Sequence, residues 1–164
     1  MNFLEQICFE WYEYKGYFVR RNTLVGLLPR GGYECELDVV AFHPVTQHII
    51  HIEPSMDAHS WAERERRFSK KFQAGRKYIP YMIPSFKPSM SIEQVALFGL
   101  SKTRVREELA GGKVWMISNL LKDIVNELHQ KRIANEVVPQ QYPLLRTIQF
   151  VCEHSTSLFP PDKI

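Results

Sequence analysis

Apolar residues recur every three to four positions in four parts of the chain, which is the spacing of one face of a helix. The first part is residues 3–14. The second follows a capping box, Ser60-Trp61-Ala62-Glu63, and we expect that helix to end at Gly75. The third covers about 119–132, and the fourth begins at Pro143, which suits the first turn of a helix. The spacing therefore predicts four main helices.

Shorter runs rich in β-branched and aromatic residues predict strands between these helices. Such runs occupy residues 17–19, 23–28, 35–42, 48–53, 95–100 and 114–117. The runs at 35–42 and 48–53 are apolar on both faces in their middle, as expected of strands that are covered on both sides. A short helix is expected over 102–110, closed by two glycines. The order of elements indicates an α/β fold, with helices on both faces of a sheet.

The length of 164 residues suits one domain with its own core. We expect a single domain over 1–164, with the strands concentrated in about 3–117 and a helical C-terminal part over about 118–164. The apolar face of the last predicted helix, from Leu144 to Cys152, is expected either to close the core or to pair two chains in a homodimer.

Composition argues against several classes of protein. The chain has three cysteines and no C-x-x-C pair, which disfavours a disulfide framework and a cysteine zinc site. No apolar run reaches the roughly 18 residues of a membrane span, and Glu5 interrupts the N-terminus where a signal peptide would be apolar. We therefore expect a soluble, cytoplasmic protein with no membrane partner.

Two carboxylates, Asp38 and Glu53, stand in the otherwise apolar strands predicted at 35–42 and 48–53. An ionised carboxylate is costly to bury unless it is paired, hydrogen-bonded or bound to a metal. If the two strands are antiparallel neighbours, the pair can hold Mg²⁺ or Mn²⁺ together with water and a substrate phosphate. One alternative is that these are structural carboxylates, which accept backbone hydrogen bonds or, for Asp38, pair with a core arginine. Another is a transition-metal site that also uses His51.

The order of these residues resembles the PD-(D/E)xK phosphodiesterase superfamily, which includes restriction enzymes and Holliday-junction resolvases. Glu5 in a first helix, Asp38 in a strand and Glu53 at the end of the following strand match that family's αβββαβ core over about residues 3–117. The resemblance implies a restriction-endonuclease-like mixed sheet flanked by helices, here with extra C-terminal helices. It implies a nuclease that hydrolyses DNA, with Mg²⁺ held by Asp38 and Glu53 and often helped by Glu5.

One family position differs in this chain. The family has a lysine two residues after the strand Glu, where it positions the attacking water, and this chain has Ser55. A hydroxyl supplies no fixed positive charge. Either the chain has lost catalysis and binds nucleic acid or a partner protein, or the next helix provides the cation. Counted from Trp61, Lys71 and Arg64 lie at the margin of the apolar stripe and Lys70 lies on the opposite face. Lys71 is therefore the first candidate for a relocated catalytic lysine, and Arg64 the second.

Positive charge is concentrated in one segment. Residues 63–77 contain seven basic and two acidic residues, whereas the whole chain has a net charge of only +3. Such a run is commonly the solvated face of a helix, but beside a carboxylate site it also suits a phosphate backbone. We therefore expect Arg64, Arg67, Lys70 and Lys71 to contact DNA through its backbone, since no base-reading motif is present.

Overall fold

The structure is a computed structural model that describes residues 3–84, 86–100 and 106–159. The chain forms two compact units, Met1–Ile117 and Ser118–Ile164. The elements are α1 (Phe3–Tyr14), β1 (Phe18–Leu27), β2 (Tyr33–Phe42), β3 (Ile49–Ser55), α2 (Trp61–Met82), β4 (Ile92–Phe98), β5 (Glu108–Leu109), β6 (Gly112–Met116), α3 (Ile117–Leu128), α4 (Pro143–Glu153) and α5 (Ser155–Leu158). None of the helices in the described ranges is both long and apolar enough to cross a membrane.

The described part of the first unit contains a six-stranded mixed sheet in the order β1-β2-β3-β4-β6-β5. The first three strands are antiparallel to one another, β3, β4 and β6 are mutually parallel, and β5 pairs antiparallel with β6. The predicted α/β class is confirmed. The two apolar runs with the buried acids are neighbouring antiparallel strands, because a short connection joins them and Phe42 pairs with Ile49.

Helices α1 and α2 cover opposite faces of this sheet. Arg21 pairs with Val39 of β2, and its guanidinium donates a 2.7 Å hydrogen bond to Gln6 of α1. His51 pairs with Val40 and packs edge-on against a phenylalanine ring of α2. Successive residues of a strand point to opposite faces, and paired residues share a face. Since Val39 and Val40 are adjacent, the two helices lie on different faces.

The second helix begins as predicted and continues past the predicted end. The Ser60 hydroxyl accepts a hydrogen bond from the Glu63 N–H, and the helix then runs through Gly75 and Pro80 to Met82. Gly75 is buried, and a Cβ at this position would collide with the imidazole of His51. The glycine therefore permits close approach of helix and sheet and does not end the helix.

Two further predictions need correction. The runs at 17–19 and 23–28 belong to one strand, β1, in which Asn22 and Gly26 adopt positive φ while the pairing register with β2 is the same on either side of each of them. The helix predicted over 102–110 is wrong in its described part, where residues 108–109 form β5 and a tight turn leads into β6. Residues 102–105 of that prediction lie outside the described residues.

The second unit is helical in its described part, and Gln149 organises its connecting segment. This side chain is fully buried in α4, the helix predicted from Pro143. Its amide oxygen accepts from the Val138 N–H at 2.8 Å, and its amide nitrogen donates to the carbonyls of Lys131 and Glu136. One buried side chain thus satisfies three backbone groups of the loop between α3 and α4.

The start of α2 is tied to the sheet by a buried guanidinium. Arg64 is 2% exposed, and it contacts the Asp57 carboxylate at 3.3 Å and the Asp57 carbonyl at 2.7 Å. It also donates to the carbonyl of Leu100 after β4 and lies 4.1 Å from the centroid of the Phe98 ring. A buried cation of this kind depends on its counter-charge.

Replacing that counter-charge tests the role of Arg64. Asp57→Ala should lower the free energy of unfolding by roughly 2 to 4 kcal/mol, because the guanidinium stays buried without an anion. Glu63→Ala is the matched control, since it removes the acid that faces the exposed Arg66, and its effect should be much smaller than that of Asp57→Ala. Urea unfolding followed by circular dichroism measures both. Equal losses in the two variants would contradict this account.

Candidate functional site

Asp38, Glu53 and Lys71 meet on the α2 face of the sheet. Asp38 and Glu53 stand one position beyond the registered pair Val39–Ile52, so they oppose each other across β2 and β3. The Lys71 ammonium on α2 lies 2.6 Å from Asp38 Oδ1 and 2.7 Å from Glu53 Oε2. The register of two strands and one helix therefore brings two carboxylates to a single cation.

A network of hydrogen bonds through His51 and Gln94 orients the buried Glu53 carboxylate. The amide nitrogen of Gln94 donates to the Phe72 carbonyl at 2.9 Å and faces His51 Nδ1 at 3.1 Å, while Arg76 donates to the Gln94 amide oxygen. These contacts fix the orientation of the Gln94 amide, so His51 Nδ1 accepts a hydrogen bond. The proton of the neutral imidazole is then on Nε2, which donates to Glu53 Oε1 at 2.7 Å.

His51 stays neutral in this position. Burial, reinforced by the positive charge of Lys71, lowers the pKa of His51 to about 3. Glu53 Oε1 accepts a second hydrogen bond, at 3.2 Å, from the backbone N–H of Asp38. The Glu53 carboxylate, 3% exposed, thus has one oxygen held by the protein interior and the other turned to Lys71.

The site has more negative than positive charge when both acids are ionised. Burial, reinforced by the adjacent charge of Glu53 and opposed by Lys71, raises the pKa of Asp38 to about 7. Burial also raises the pKa of Glu53. Although burial alone would lower the pKa of Lys71, the two carboxylates raise it. One ammonium therefore faces two acids, and the site either keeps a proton on Asp38 or accommodates further positive charge.

The three side chains lie in a cleft of about 370 Å³. One wall is the outer face of α2, with Arg66, Arg67 and Lys70, and the other is β2, with Cys35 and Glu36. Arg67 makes a 2.7 Å contact with Asp57 and still exposes 47% of its side chain, whereas Lys70 is exposed. The cleft is therefore basic along its α2 wall and acidic at its base.

The other residues singled out from the sequence lie elsewhere. Glu5 is on α1, which covers the opposite face of the sheet. Arg64 is buried and engaged by Asp57, so it has no exposed charge to offer a nucleic acid. Ser55 points to the same face as Glu53, but its hydroxyl donates to Asp57. The structure thus brings together Asp38, Glu53 and Lys71, with Arg67 and Lys70 along the wall of the cleft.

Sequence reasoning missed the supporting residues Gln94 and Arg76. Gln94 pairs with His51 in the parallel register of β3 and β4 and is 6% exposed. The available signal was a polar amide directly before the apolar run that begins at Val95. A buried amide requires hydrogen-bond partners, but the identity of those partners depends on the strand register.

The raised pKa of Asp38 predicts an effect on stability. The folded protein retains a proton on Asp38 that the unfolded chain releases, so the free energy of unfolding should fall as pH rises from about 4 to about 7. Asp38→Asn mimics the protonated carboxyl and should abolish this loss. In the absence of divalent ions, the variant should match wild type near pH 4 and exceed it at pH 8 by on the order of 2 kcal/mol.

Urea unfolding at several pH values tests this expectation. Glu36→Gln removes a charge from the rim of the same cleft and should change stability by no more than about 0.5 kcal/mol at any pH. An Asp38→Asn variant that is less stable than wild type at pH 8 would show that the ionised Asp38–Lys71 pair is net stabilising, against the prediction.

Comparisons with known proteins do not assign this chain to a family. A scan against protein-family models, a search of curated proteins and a search of solved structures each found no match to this chain.

Proposed function

We propose that this chain is a divalent-metal-dependent nuclease that hydrolyses DNA phosphodiester bonds in the cleft around Asp38, Glu53 and Lys71. The observation that carries the proposal is the convergence of two carboxylates from adjoining strands with one lysine at the base of a basic-walled cleft. Charge that is costly to bury and has no compensating structural gain is typical of functional sites.

The order of the elements supports the proposed kinship with the PD-(D/E)xK superfamily. The succession α1-β1-β2-β3-α2-β4 has the αβββαβ order, with three antiparallel strands followed by a parallel one. The acids lie on the second and third of these strands. The departure at Ser55 is compatible with activity, because the Lys71 ammonium reaches both acids from α2.

The donor set suits a hard cation such as Mg²⁺ or Mn²⁺. Both available donors are carboxylate oxygens, and the Lys71 ammonium between them shows that a positive charge is accommodated at this point. No group of three or more metal-binding side chains occurs among the described residues, so water and a substrate phosphate would complete the coordination. A bound cation would supply positive charge to a phosphoryl oxygen and lower the pKa of a water molecule.

The residues of the chain have distinct roles in the proposed reaction. Asp38 and Glu53 hold the cation, and His51 orients Glu53. Lys71 is protonated, so it stabilises the negative charge that develops on the phosphate and does not accept a proton. Lys70 on the cleft wall contacts a flanking phosphate. A water molecule releases a proton to solvent as its oxygen bonds to phosphorus, the bond from phosphorus to the sugar oxygen breaks, and that sugar oxygen takes a proton from solvent.

Cleavage assays test the proposal. Purified protein should nick plasmid DNA in the presence of Mg²⁺ or Mn²⁺ and lose activity with a chelator. Asp38→Ala should abolish cleavage, and Lys71→Ala should reduce the rate by about 10²-fold or more, the typical effect of losing one group that stabilises transition-state charge. Lys70→Ala is the control for loss of positive charge and should reduce the rate by less than about tenfold, since it removes one phosphate contact.

A nuclease-like domain without catalysis gives a different result. Wild type and Asp38→Ala would then show identical backgrounds across divalent ions and across plasmid and linear substrates, which would refute the enzyme. Salt-dependent DNA binding that survives both the chelator and Asp38→Ala would instead support a nucleic-acid-binding domain on the same scaffold.

A further inference from the structure

We infer that the Lys71 ammonium occupies the place of the divalent cation in the resting protein, and that metal and nucleic acid consequently bind with positive cooperativity. The inference rests on the proposed function and concerns how its site is loaded. It follows from which oxygen atoms are available and from what each ligand must displace.

The oxygens that a metal needs are the ones that Lys71 contacts. Glu53 Oε1 already accepts hydrogen bonds from His51 and from the Asp38 backbone. Glu53 Oε2 lies 2.7 Å and Asp38 Oδ1 lies 2.6 Å from Lys71 Nζ. A divalent cation held by Glu53 Oε2 would lie close to the ammonium in its present position, and the two positive charges would repel each other. Lys71 therefore moves away from the carboxylates when a metal is bound.

A displaced Lys71 requires a new anion. Its side chain is 28% exposed and extends from α2 into the cleft. With a metal bound and no other ligand, the ammonium would stay near a divalent cation that repels it. A phosphate in the cleft would remove this cost, because its negative charge would pair with Lys71 and offset the charge of the metal. Metal binding alone is therefore opposed by Lys71, and the phosphate relieves that opposition.

The same reasoning holds in the other direction. Without metal, a phosphate that enters the cleft approaches the carboxylates of Asp38 and Glu53, and Lys71 is already engaged by them. With metal bound, those charges are neutralised and Lys71 is released. The coupling is thus reciprocal, as linkage requires. Lys71 prevents either ligand alone from completing the site.

Chemical labelling of the wild-type protein tests the displacement directly. Lysine acetylation by a water-soluble ester, quantified by mass spectrometry, should increase severalfold at Lys71 when Mg²⁺ is added. It should decrease again when a short phosphorothioate DNA duplex is added with the Mg²⁺. Lys70, which is exposed on the same wall, should show no increase with Mg²⁺ alone. Unchanged labelling of Lys71 on addition of a metal that raises the melting temperature would overturn the inference.

Equilibrium binding tests the cooperativity. At constant ionic strength, Mg²⁺ should increase the affinity for a labelled phosphorothioate duplex by about fivefold or more, measured by fluorescence anisotropy. This sign is diagnostic, since divalent ions otherwise weaken protein–DNA binding by competing for phosphates. In Lys71→Gln, Mg²⁺ alone should raise the melting temperature more than in wild type, and the gain in duplex affinity on adding Mg²⁺ should be smaller than in wild type.

Lys70→Gln removes the same charge from the adjacent position and should retain the wild-type coupling. If Lys70→Gln and Lys71→Gln behave alike, the effect is one of overall charge and the inference is wrong. The labelling experiment decides the question on wild-type protein even if Lys71→Gln fails to fold. None of these readouts requires cleavage, so a chain that hydrolyses no DNA can still show the coupling, and an active nuclease can lack it.

Discussion

Two carboxylates share one ammonium at the base of a cleft, so the site has one more negative than positive charge when both acids are ionised. The surrounding structure keeps these three groups together. Asp38 and Glu53 oppose each other because β2 and β3 are paired in a register that extends one position beyond Val39 and Ile52. Burial, followed by the charge of Glu53, raises the pKa of Asp38, which reflects the cost of placing these two acids together. The protein accepts this cost because backbone and side-chain donors fix Glu53, and Lys71 faces both acids.

The position of Lys71 is set by contacts on either side of it along α2. Seven residues earlier, Arg64 connects the helix to Asp57 and to the carbonyl of Leu100. Four residues later, the absence of a side chain at Gly75 lets the helix approach His51 and Gln94. Lys71 lies between these two anchors, so its ammonium is delivered to the acids by the packing of the whole helix against the sheet. His51 packs against α2 and donates a hydrogen bond to Glu53, so the packing of the helix also orients Glu53. Because the imidazole is neutral, it adds no charge to the site.

Much of the site is readable from local patterns, and the remainder depends on contacts between distant elements. Asp38 and Glu53 stand out because ionised groups are rare inside apolar strands, and the phase of α2 placed Lys71 at the margin of its apolar stripe. The burial of Arg64 was not predictable, because the partners that satisfy it include backbone carbonyls from another part of the chain. Gly75 was expected to end the helix, and this too could not be corrected from the sequence. The glycine is needed because His51 lies opposite it in the folded protein, and that contact joins two distant parts of the chain. Glu5 lies on the face of the sheet that α1 covers. The spacing of residues within α1 does not show which face that is, so the position of Glu5 could not be predicted.

The contacts of Ser55 explain why, under the proposed function, the lysine lies on α2 and not at position 55. The Ser55 hydroxyl donates to Asp57, and Asp57 also accepts hydrogen bonds from Arg64 and Arg67. A lysine at position 55 would bring a third cation to a carboxylate already shared by two arginines, and it would compete with the contact that fixes the start of α2. A lysine on α2 avoids this conflict, because it approaches the two acids from the opposite wall of the cleft. It also places the cation on an element whose outer face is basic, so the positive charges of Lys71, Lys70 and Arg67 lie along the same wall of the cleft.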